Sequence, residues 1–256
     1  MPKISACIIS FNEENKLEDC LKSLQPIVDE IIIVDSLSTD DTLKIAQRYT
    51  DKIFNQKFLG HIEQKNLAVS KAGYDWILSL DCDERLTPEL QQSILAIKDN
   101  LDAADAYCMH RKTFYIYRWL NHCWYPDTKT RLFNKTTSYW GGTNPHDRII
   151  TQGKNIRLLR GDIQHYSFSS ISEHLKTIDK FTEIGADELI KKGKRFTIFS
   201  PLTHASWTFI KLYFIKRGFL DGFAGLVVSV LSYMHVFVKY TKAIIKRRDL
   251  DKNENS

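Results

Sequence analysis

Three carboxylates follow directly on an apolar segment of this chain, at Asp81, Asp83 and Glu84. The segment, residues 76–80, carries no charge and is typical of a buried strand. Mg²⁺ and Mn²⁺ prefer oxygen ligands, and a cation held by one or two carboxylates keeps coordination positions free for phosphate oxygens. The spacing therefore indicates a site for a nucleotide or another phosphate ligand. A polar strand end without a ligand is the alternative that these residues alone leave open.

The N-terminal half alternates apolar segments with segments of helical periodicity. Residues 4–9, 30–35 and 76–80 predict strands, and 53–54 predicts a further short one. After the first strand, apolar side chains recur at helical spacing at Leu17, Cys20, Leu21 and Leu24. Buried strands that alternate with amphipathic helices form a mostly parallel sheet with helices on both faces. The predicted fold class is therefore α/β, with a Rossmann-like, mostly parallel sheet flanked by helices.

Acids follow three of these predicted strands: Glu13, Glu14, Asp35, Asp81 and Asp83. Ligands bind beyond the carboxyl ends of the strands in such sheets, so we expect these acids to share one edge. The chain has neither G-x-G-x-x-G after the first strand nor G-x-x-x-x-G-K-[ST]. A dehydrogenase and a P-loop enzyme are both disfavoured by this absence. Phosphates bound here would be neutralised by a metal ion and not by helix amides.

Composition excludes a disordered or fibrous protein. The chain has 256 residues, of which 43% are hydrophobic, and a formal net charge of +5. This suffices for one large domain, or for one domain with an appendage. The five cysteines contain no Cys-x-x-Cys pair and predict reduced packing residues. No signal-peptide pattern follows Met1, so we expect a cytoplasmic protein.

Four motifs stand in the N-terminal half: Ile8-Ile-Ser-Phe-Asn-Glu-Glu14, Ile32-Ile-Val-Asp-Ser-Leu-Ser-Thr-Asp-Asp-Thr42, Gln64-Lys-Asn66 and Leu80-Asp-Cys-Asp-Glu84. In order and spacing they resemble the family-2 glycosyltransferases of GT-A fold. Three later motifs are His146-Asp147, Gln164-His165-Tyr166-Ser167 and Gly218-Phe-Leu-Asp-Gly222. They look like the bacterial branch that adds glucose to heptose in the lipopolysaccharide inner core. The resemblance implies a nucleotide diphosphate sugar as donor, with UDP-glucose expected, and a lipid-linked glycan as acceptor.

The resemblance also implies roles for individual residues. The donor-binding residues would be Glu13, Asp35, Asp40, Lys65 and Asp81. Asp83 and His165 would hold the Mg²⁺ or Mn²⁺ ion that bridges the diphosphate. A hydrogen-bonded core histidine is the alternative for His165. Cys82 points to the opposite strand face from its neighbours, so we expect it to be packed and not to be a ligand.

Glycosyl transfer needs a stabilised leaving diphosphate, which a metal supplies as a Lewis acid, and a base for the acceptor hydroxyl. Members of the family that this chain resembles invert the anomeric centre, so one carboxylate on the acceptor side suffices. We predict Asp147 as that base, because aspartate is ionised at neutral pH. Asp127 is the next candidate, and pairing of Asp147 with Arg148 or Arg131 is the structural alternative. Aromatic residues at this density predict core packing, and an apolar wall for a sugar ring is the alternative for Trp140, which precedes two glycines.

The last third of the chain is rich in apolar and aromatic residues. The longest stretch without a charged residue, 222–238, has about the minimum length for a bilayer span, but it contains polar and small residues. Basic residues flank it, which favours an interfacial, peripheral location on an anionic membrane surface over a nucleic-acid partner. A buried core helix or an oligomer interface is the alternative. We expect a GT-A catalytic domain at 1–168, with a donor half at 1–100 and an acceptor half at 101–168, and a helical region at 169–256.

Two rival functions stay open at this point. A nucleotidyltransferase uses a similar sheet and acidic metal site, but it would need an early glycine-rich, basic segment, which residues 10–14 do not provide. A non-catalytic membrane-bound scaffold of the same fold is the other rival. The presence of Asp81, Asp83 and His165 argues against the scaffold.

Overall fold

The computed structural model describes residues 2–143 and 146–254 of the chain. They form two compact units. The first contains the residues up to Lys112 and Asp127–Tyr166, and the second contains Thr113–Pro126 and the residues from Ser167 onward. Residues 113–126 thus pack with C-terminal residues, although the sequence predicts them within 1–168. The functional division at residue 168 stays a prediction.

Strands and helices alternate at the start of the first unit, as the apolar pattern predicts. They are β1 (Ile4–Ser10), α1 (Leu17–Leu24), β2 (Glu30–Asp35), α2 (Thr42–Ala46), β3 (Ile53–Asn55), α3 (His61–Lys71), β4 (Trp76–Ser79), β5 (Glu84–Leu86) and α4 (Pro88–Ile97), followed by a 3₁₀ helix (Lys98–Ala103). The chain then becomes strand-rich. These strands are β6 (Ala106–Tyr115), β7 (Arg118–Trp119), β8 (Asp127–Asn134), β9 (Ser138–Thr143), β10 (His146–Thr151) and β11 (Ile156–Phe168).

The main sheet is mixed. Among the described residues its order is β3-β2-β1-β4-β8-β6-β11-β5, and β9 and β10 form a separate pair. β3, β2, β1 and β4 are parallel, whereas β8 pairs antiparallel with β4 and β6, and β11 pairs antiparallel with β5. The α/β fold class is confirmed. The parallel order expected from the sequence holds for the N-terminal strands, and the later strands form an antiparallel half.

The register of the parallel strands brings their carboxyl ends to one edge. Ser10 is paired with Asp35, and Asp35 with Asn55. On the other side of β1, Cys7 is paired with Ser79, the last residue of β4. The segments that follow β1 and β2 therefore start side by side. β4 ends three residues earlier along β1, and the acids that follow it lie toward the same edge, as the distribution of acids predicts.

Both faces of the parallel strands are covered by apolar packing. In β1, Ile4, Ala6 and Ile8 belong to one buried cluster, while Cys7 belongs to a second cluster on the opposite face. Successive side chains of a strand point to opposite faces, so a strand buried on both faces reads as a continuous apolar segment. Helix α1 adds an apolar stripe to the first cluster, formed by Leu17, Cys20, Leu21 and Leu24.

Four of the five cysteines are packing residues, as predicted, and Cys108 is only half-buried. Cys7, Cys20, Cys82 and Cys123 are buried, and none of the five forms a disulfide. Cys82, between the two site aspartates, donates its Sγ hydrogen to the carbonyl oxygen of Ile9 at 3.2 Å. It is a packing residue, as expected.

The second unit is mainly helical. It contains α5 (Ile171–Lys191), α6 (Ser200–Ile210), a π-helical turn (Lys211–Ile215), a 3₁₀ turn (Gly218–Asp221) and α7 (Gly222–Glu254). α7 packs against α5 and α6. Of the described residues, one helical segment, Gly218–Leu250, is long and apolar enough to cross a membrane. Length and composition alone do not separate a membrane span from a core helix.

Candidate active site

Lys65 joins two of the predicted site carboxylates. It lies on α3, which packs on β1, β2 and β9. Its Nζ is 2.9 Å from Asp81 Oδ1 and 2.7 Å from Asp147 Oδ2. The Lys65 side chain is only 6% exposed and that of Asp147 is 14% exposed, whereas that of Asp81 is 31% exposed, so the Lys65–Asp147 pair is the more dehydrated of the two. A residue predicted on the donor side and the predicted base are thus held by one ammonium group.

The indole ring of Trp140 packs against the Lys65 ammonium group. The Lys65 Nζ lies 4.2 Å from the centre of the indole ring, within the range of a cation–π contact. Asn66 fixes the tryptophan backbone: its Nδ2 donates to the Trp140 carbonyl at 2.8 Å, and its Oδ1 accepts from the Trp140 amide at 3.0 Å. Trp140 is only 3% exposed. The ring is therefore covered by packing, which agrees with the predicted core role of Trp140 and not with the alternative of an apolar wall for a sugar ring.

Arg131 and Glu84 form a buried pair beside Asp81. The Arg131 Nη2 is 2.7 Å from Glu84 Oε1 and 2.8 Å from Asp81 Oδ2. Glu84 is fully buried, and it also accepts from the Asp81 amide at 3.1 Å. Burial by itself would raise the pKa of Asp81, but the charges of Lys65 and Arg131 hold it well below its usual range. Asp81 is consequently a fixed anion with a fixed orientation.

Asp127 is engaged more tightly than Asp147. Its Oδ2 accepts from Arg111 Nε at 3.0 Å and from Arg111 Nη2 at 2.7 Å, and Lys129 Nζ lies 3.1 Å from its Oδ1. Burial would raise the pKa of Asp127, yet the charges of Arg111 and Lys129 lower it. Both oxygens of Asp127 are thus engaged by cationic donors, and two of the hydrogen bonds come from one guanidinium. Asp147, by contrast, is paired with Lys65 and not with Arg148 or Arg131.

The acids after β1 and β2 organise their own loops. Asp35 is fully buried and accepts from Ser10 Oγ at 2.8 Å, Ser38 N at 2.7 Å and Ser38 Oγ at 2.6 Å. Asp40 accepts from the amide of Thr42 at 3.0 Å, at the start of α2. Thr42 Oγ1 in turn accepts from the amide of Glu13 at 2.7 Å. These hydrogen bonds tie the loop after β1 to the loop after β2.

Asp83 and His165 come together because of strand register. β5 pairs antiparallel with β11, with Glu84 opposite His165, and the Tyr166 amide donates to the Asp83 carbonyl at 2.9 Å. The His165 Nε2 is then 3.2 Å from Asp83 Oδ2. The other ring nitrogen of His165, Nδ1, is buried and has no hydrogen-bond partner in the described part of the chain. The imidazole is thus not a satisfied core histidine.

These two side chains fit a divalent cation. Two ligands on adjacent positions of an octahedral ion, each about 2.1 Å from it, lie about 3 Å apart, which matches the Asp83–His165 separation. Among the described residues, no group of three or more His, Cys, Asp and Glu side chains is arranged to hold a metal. A two-residue site would leave the remaining positions to water and phosphate oxygens, as Mg²⁺ usually does.

The structure thus brings the predicted residues into three groups. Lys65, Asp81 and Asp147 form one, Asp83 and His165 the second, and the loop acids the third. Asp127 belongs to none of these groups and is paired with Arg111. Arg131, Arg111 and the structural role of Glu84 were missed by sequence reasoning. A charged residue in an antiparallel strand is typical of a solvent-exposed position. Only the three-dimensional structure shows that Arg131 is buried and paired with the buried Glu84.

Comparison with known proteins decides the family. The family model described as "Glycosyl transferase family 2" matches residues 5–154, more than half of the chain. The chain belongs to glycosyltransferase family 2. It is therefore a transferase, and the resemblance seen in the four N-terminal motifs is confirmed. His165 lies beyond the matched residues, so its assignment rests on its geometry beside Asp83.

Full-length relatives of this glycosyltransferase agree. An uncharacterized glycosyltransferase of Rickettsia typhi is 35% identical over 94% of this chain and 87% of its own length. The lipopolysaccharide core biosynthesis glycosyltransferase LpsC of Rhizobium meliloti is 26% identical over 100% of this chain and 97% of its own length.

A solved structure shares the fold. The crystal structure of residues 1–349 of S. aureus TarS in complex with UDP-GlcNAc superposes with a TM-score of 0.51. The alignment covers 99% of this chain and 91% of TarS 1–349, at 14% sequence identity. At that identity the likeness concerns the fold alone.

Proposed function

We propose that this family-2 glycosyltransferase is an inverting, metal-dependent enzyme that transfers glucose from UDP-glucose to a lipid-linked glycan. The acceptor we propose is a heptose of the lipopolysaccharide inner core, at the cytoplasmic face of the inner membrane. The cluster of Lys65, Asp81 and Asp147 beside the Asp83–His165 pair carries the proposal for the reaction. Full-length similarity to LpsC supports the acceptor class.

The proposed donor site lies at the carboxyl edge of the parallel strands. Asp35 and the linked loops of Glu13 and Asp40 would receive the uridine and ribose. Lys65 and Asp81 would lie at the ribose and diphosphate. Asp83 and His165 would hold Mg²⁺ or Mn²⁺, which would stabilise the departing diphosphate as a Lewis acid. The pairing of Asp81 with Lys65 and Arg131 keeps it ionised and oriented before the donor binds.

The proposed base is Asp147. Its carboxylate would accept the proton of the acceptor hydroxyl while that oxygen attacks the anomeric carbon and UDP leaves on the opposite face. Lys65 holds Asp147 Oδ2 at 2.7 Å, which fixes the carboxylate. Its other oxygen would accept the proton of the acceptor hydroxyl. Asp127 is the second candidate. The two hydrogen bonds that it accepts from Arg111 make it less available for this role.

Two pairs of variants test these assignments by measuring UDP release from UDP-glucose with a heptose-containing acceptor. We expect Asp83→Ala to abolish transfer. The matched control Asp75→Ala removes an exposed aspartate at the opposite end of β4 and should retain activity. Full activity in Asp83→Ala would refute the metal assignment.

The second pair separates the two candidate bases. Asp147→Asn should lower kcat by about 10²- to 10⁴-fold, the usual contribution of a general base, with UDP affinity kept. Asp127→Asn should change kcat much less. The opposite ranking would transfer the role of base to Asp127. A panel of UDP-glucose, UDP-galactose and UDP-N-acetylglucosamine in the same assay tests the proposed sugar.

A further inference from the structure

The second unit has an unusual concentration of exposed apolar side chains. Half of the large apolar residues that are exposed in the described part of the chain lie between residues 198 and 237. The densest group is in the segment between α6 and α7, which we call the 214–223 turn. Its exposed members are Phe214, Ile215, Phe219, Leu220 and Phe223. Exposed apolar groups of this density usually mark an interaction site.

Glycines make this turn tight and force its large side chains outward. A Cβ atom on Gly218 would lie 2.7 Å from the Leu212 carbonyl oxygen, and one on Gly225 would lie 1.9 Å from the Gly218 carbonyl oxygen. Gly222 has a φ of +63°, which favours glycine. The backbone is therefore packed closely on the inner side of the turn. The side chains of Phe219 and Leu220, between these glycines, therefore lie on the outer, exposed side of the turn.

Asp221 anchors the turn from within. Its carboxylate is fully buried and accepts from the amides of Asn121 at 2.8 Å, His122 at 3.0 Å and Cys123 at 3.0 Å. The His122 Nδ1 lies 3.0 Å from the same carboxylate. All these residues belong to the second unit. The motif at 218–222 thus has a structural purpose: it pins one side of the turn and presents the other side to solvent.

The exposed charged side chains around the turn are basic. Asp221 is the single acid in residues 189–248, and it is removed from the surface by burial. Lys211, Lys216 and Arg217 lie in or beside the turn and form no ion pair with any described residue. An apolar tip with unpaired basic side chains around it is complementary to an anionic phospholipid surface.

The apolar surface continues along α7. Phe223, Val230, Met234 and Phe237 are exposed and are spaced seven, four and three residues apart, which puts them on one helix face. Ala224, Val228 and Leu231 on the other face are buried. α7 is therefore amphipathic in its first half, and its inner face is already occupied by protein.

We propose that the 214–223 turn inserts into the headgroup and upper acyl region of an anionic phospholipid leaflet, with Lys211, Lys216 and Arg217 at the phosphates. This inference deepens the proposed membrane location and rests on that proposal. The observations that support it lie outside the donor site. In this arrangement α7 lies along the interface and does not cross the bilayer, since its inner face packs on α5 and α6. The occupant is lipid, and not a second copy of the chain.

The test is co-sedimentation of the full-length protein with vesicles of phosphatidylcholine alone and of phosphatidylcholine mixed with phosphatidylglycerol. We expect binding to the anionic vesicles that high salt reverses. The double variant Phe219→Ser/Phe223→Ser should weaken this binding roughly tenfold or more, because two apolar anchors are lost. Lys216→Glu/Arg217→Glu should weaken binding to anionic vesicles by roughly tenfold, because two attractive charges become repulsive.

Matched controls come from the first unit. Leu158→Ser changes a side chain that is 54% exposed, between the 46% of Phe219 and the 70% of Phe223, and Lys154→Glu reverses an exposed basic residue. Both should bind vesicles as the wild type does. UDP titration of the turn variants should give unchanged affinity. A loss of vesicle binding with intact UDP binding therefore supports the turn, whereas failure of UDP binding in the wild type would concern the proposed function instead.

Three results would overturn the inference. The first is an absence of wild-type binding to anionic vesicles, or turn variants that bind as tightly as the wild type. The second is membrane association that withstands high salt and alkaline carbonate, which would make α7 a membrane span. The third is self-association that depends on protein concentration and is lost in the turn variants, together with no binding of the wild type to vesicles. This result would make the turn a dimer interface.

Discussion

Replacing Lys65 with Met removes the charge that separates two carboxylates while keeping the length of the side chain. The Lys65 Nζ contacts Asp81 Oδ1 at 2.9 Å and Asp147 Oδ2 at 2.7 Å. These oxygens are therefore less than about 6 Å apart, and two unit charges at that distance repel by about 3 kcal/mol at an effective dielectric constant of about 20. Removal of one partner from a buried ion pair costs a similar 3–5 kcal/mol. We expect Lys65→Met to lower the free energy of unfolding by about 3 kcal/mol.

The assay is urea unfolding at neutral pH, followed by tryptophan fluorescence and far-ultraviolet circular dichroism. Adding Asp147→Asn to Lys65→Met should restore about 1 kcal/mol or more, because one of the repelling charges is gone. Lys71→Met is the matched control, since Lys71 is exposed at the end of the same helix, and surface substitutions usually change stability by less than about 0.5 kcal/mol. Equal losses for Lys65→Met and Lys71→Met, or no recovery in the double variant, would refute the reasoning.

Three further predictions concern other buried ionisable groups. Arg131→Met should lower the free energy of unfolding by about 3 kcal/mol, since it leaves Glu84 buried with fewer partners; a loss below about 1 kcal/mol would contradict this. Asp221→Asn should cost about 2 kcal/mol in urea unfolding, because an amide cannot replace a carboxylate that accepts from three backbone amides. Burial would raise the pKa of Asp221, but the hydrogen bonds from the amides and from His122 lower it. Its contribution is therefore present at neutral pH and is lost as pH falls from the unfolded value of about 3.9 through the lower folded value. A wild-type advantage over Asp221→Asn that does not begin to shrink below about pH 4 would count against this prediction. Burial lowers the pKa of His174 to about 4. Between about pH 4 and 6.5 the unfolded chain therefore binds a proton that the folded chain does not. The free energy of unfolding should fall by up to about 3 kcal/mol as pH drops through that window. The variant His174→Gln should flatten this slope in urea titrations, and an unchanged slope would show that another group is responsible.

The N-terminal half of the fold was predictable for a physical reason. Parallel strands that are buried on both faces must be apolar throughout, so β1, β2 and β4 stand out as continuous apolar segments. Acids placed after such strands meet at one edge, whatever the exact register. This is why the order of Glu13, Asp35 and Asp81 along the chain was enough to predict their common location.

The antiparallel half was not predictable in the same way. The contact between Asp83 and His165 depends on the pairing of β5 with β11, which are separated by about eighty residues, and no local pattern specifies that register. Only the resemblance to a family suggested it. Arg131 was missed as a site residue for the related reason that its partner Glu84 is buried by tertiary packing. The sequence left Trp140 open between core packing and a sugar contact, because it does not show Lys65 above the indole ring.

The motif at 218–222 illustrates a third limit. Two glycines, an acid and two large apolar residues are compatible with a ligand loop or with a structural turn. The close backbone approach at Gly218 and Gly225, and the amides that bind Asp221, identify it as a turn. Short-range sequence patterns cannot distinguish these cases, because the deciding contacts come from residues 121–123, about a hundred positions earlier.

Titration calorimetry of the purified protein with UDP, with and without Mn²⁺, tests the proposed donor and metal site most directly. The site geometry predicts binding that depends on Mn²⁺, is lost in Asp83→Ala and is kept in the control Asp75→Ala. Binding that is equally tight without the metal, or unchanged in Asp83→Ala, would contradict the assignment of Asp83 and His165. No UDP binding under either condition would contradict the donor site itself.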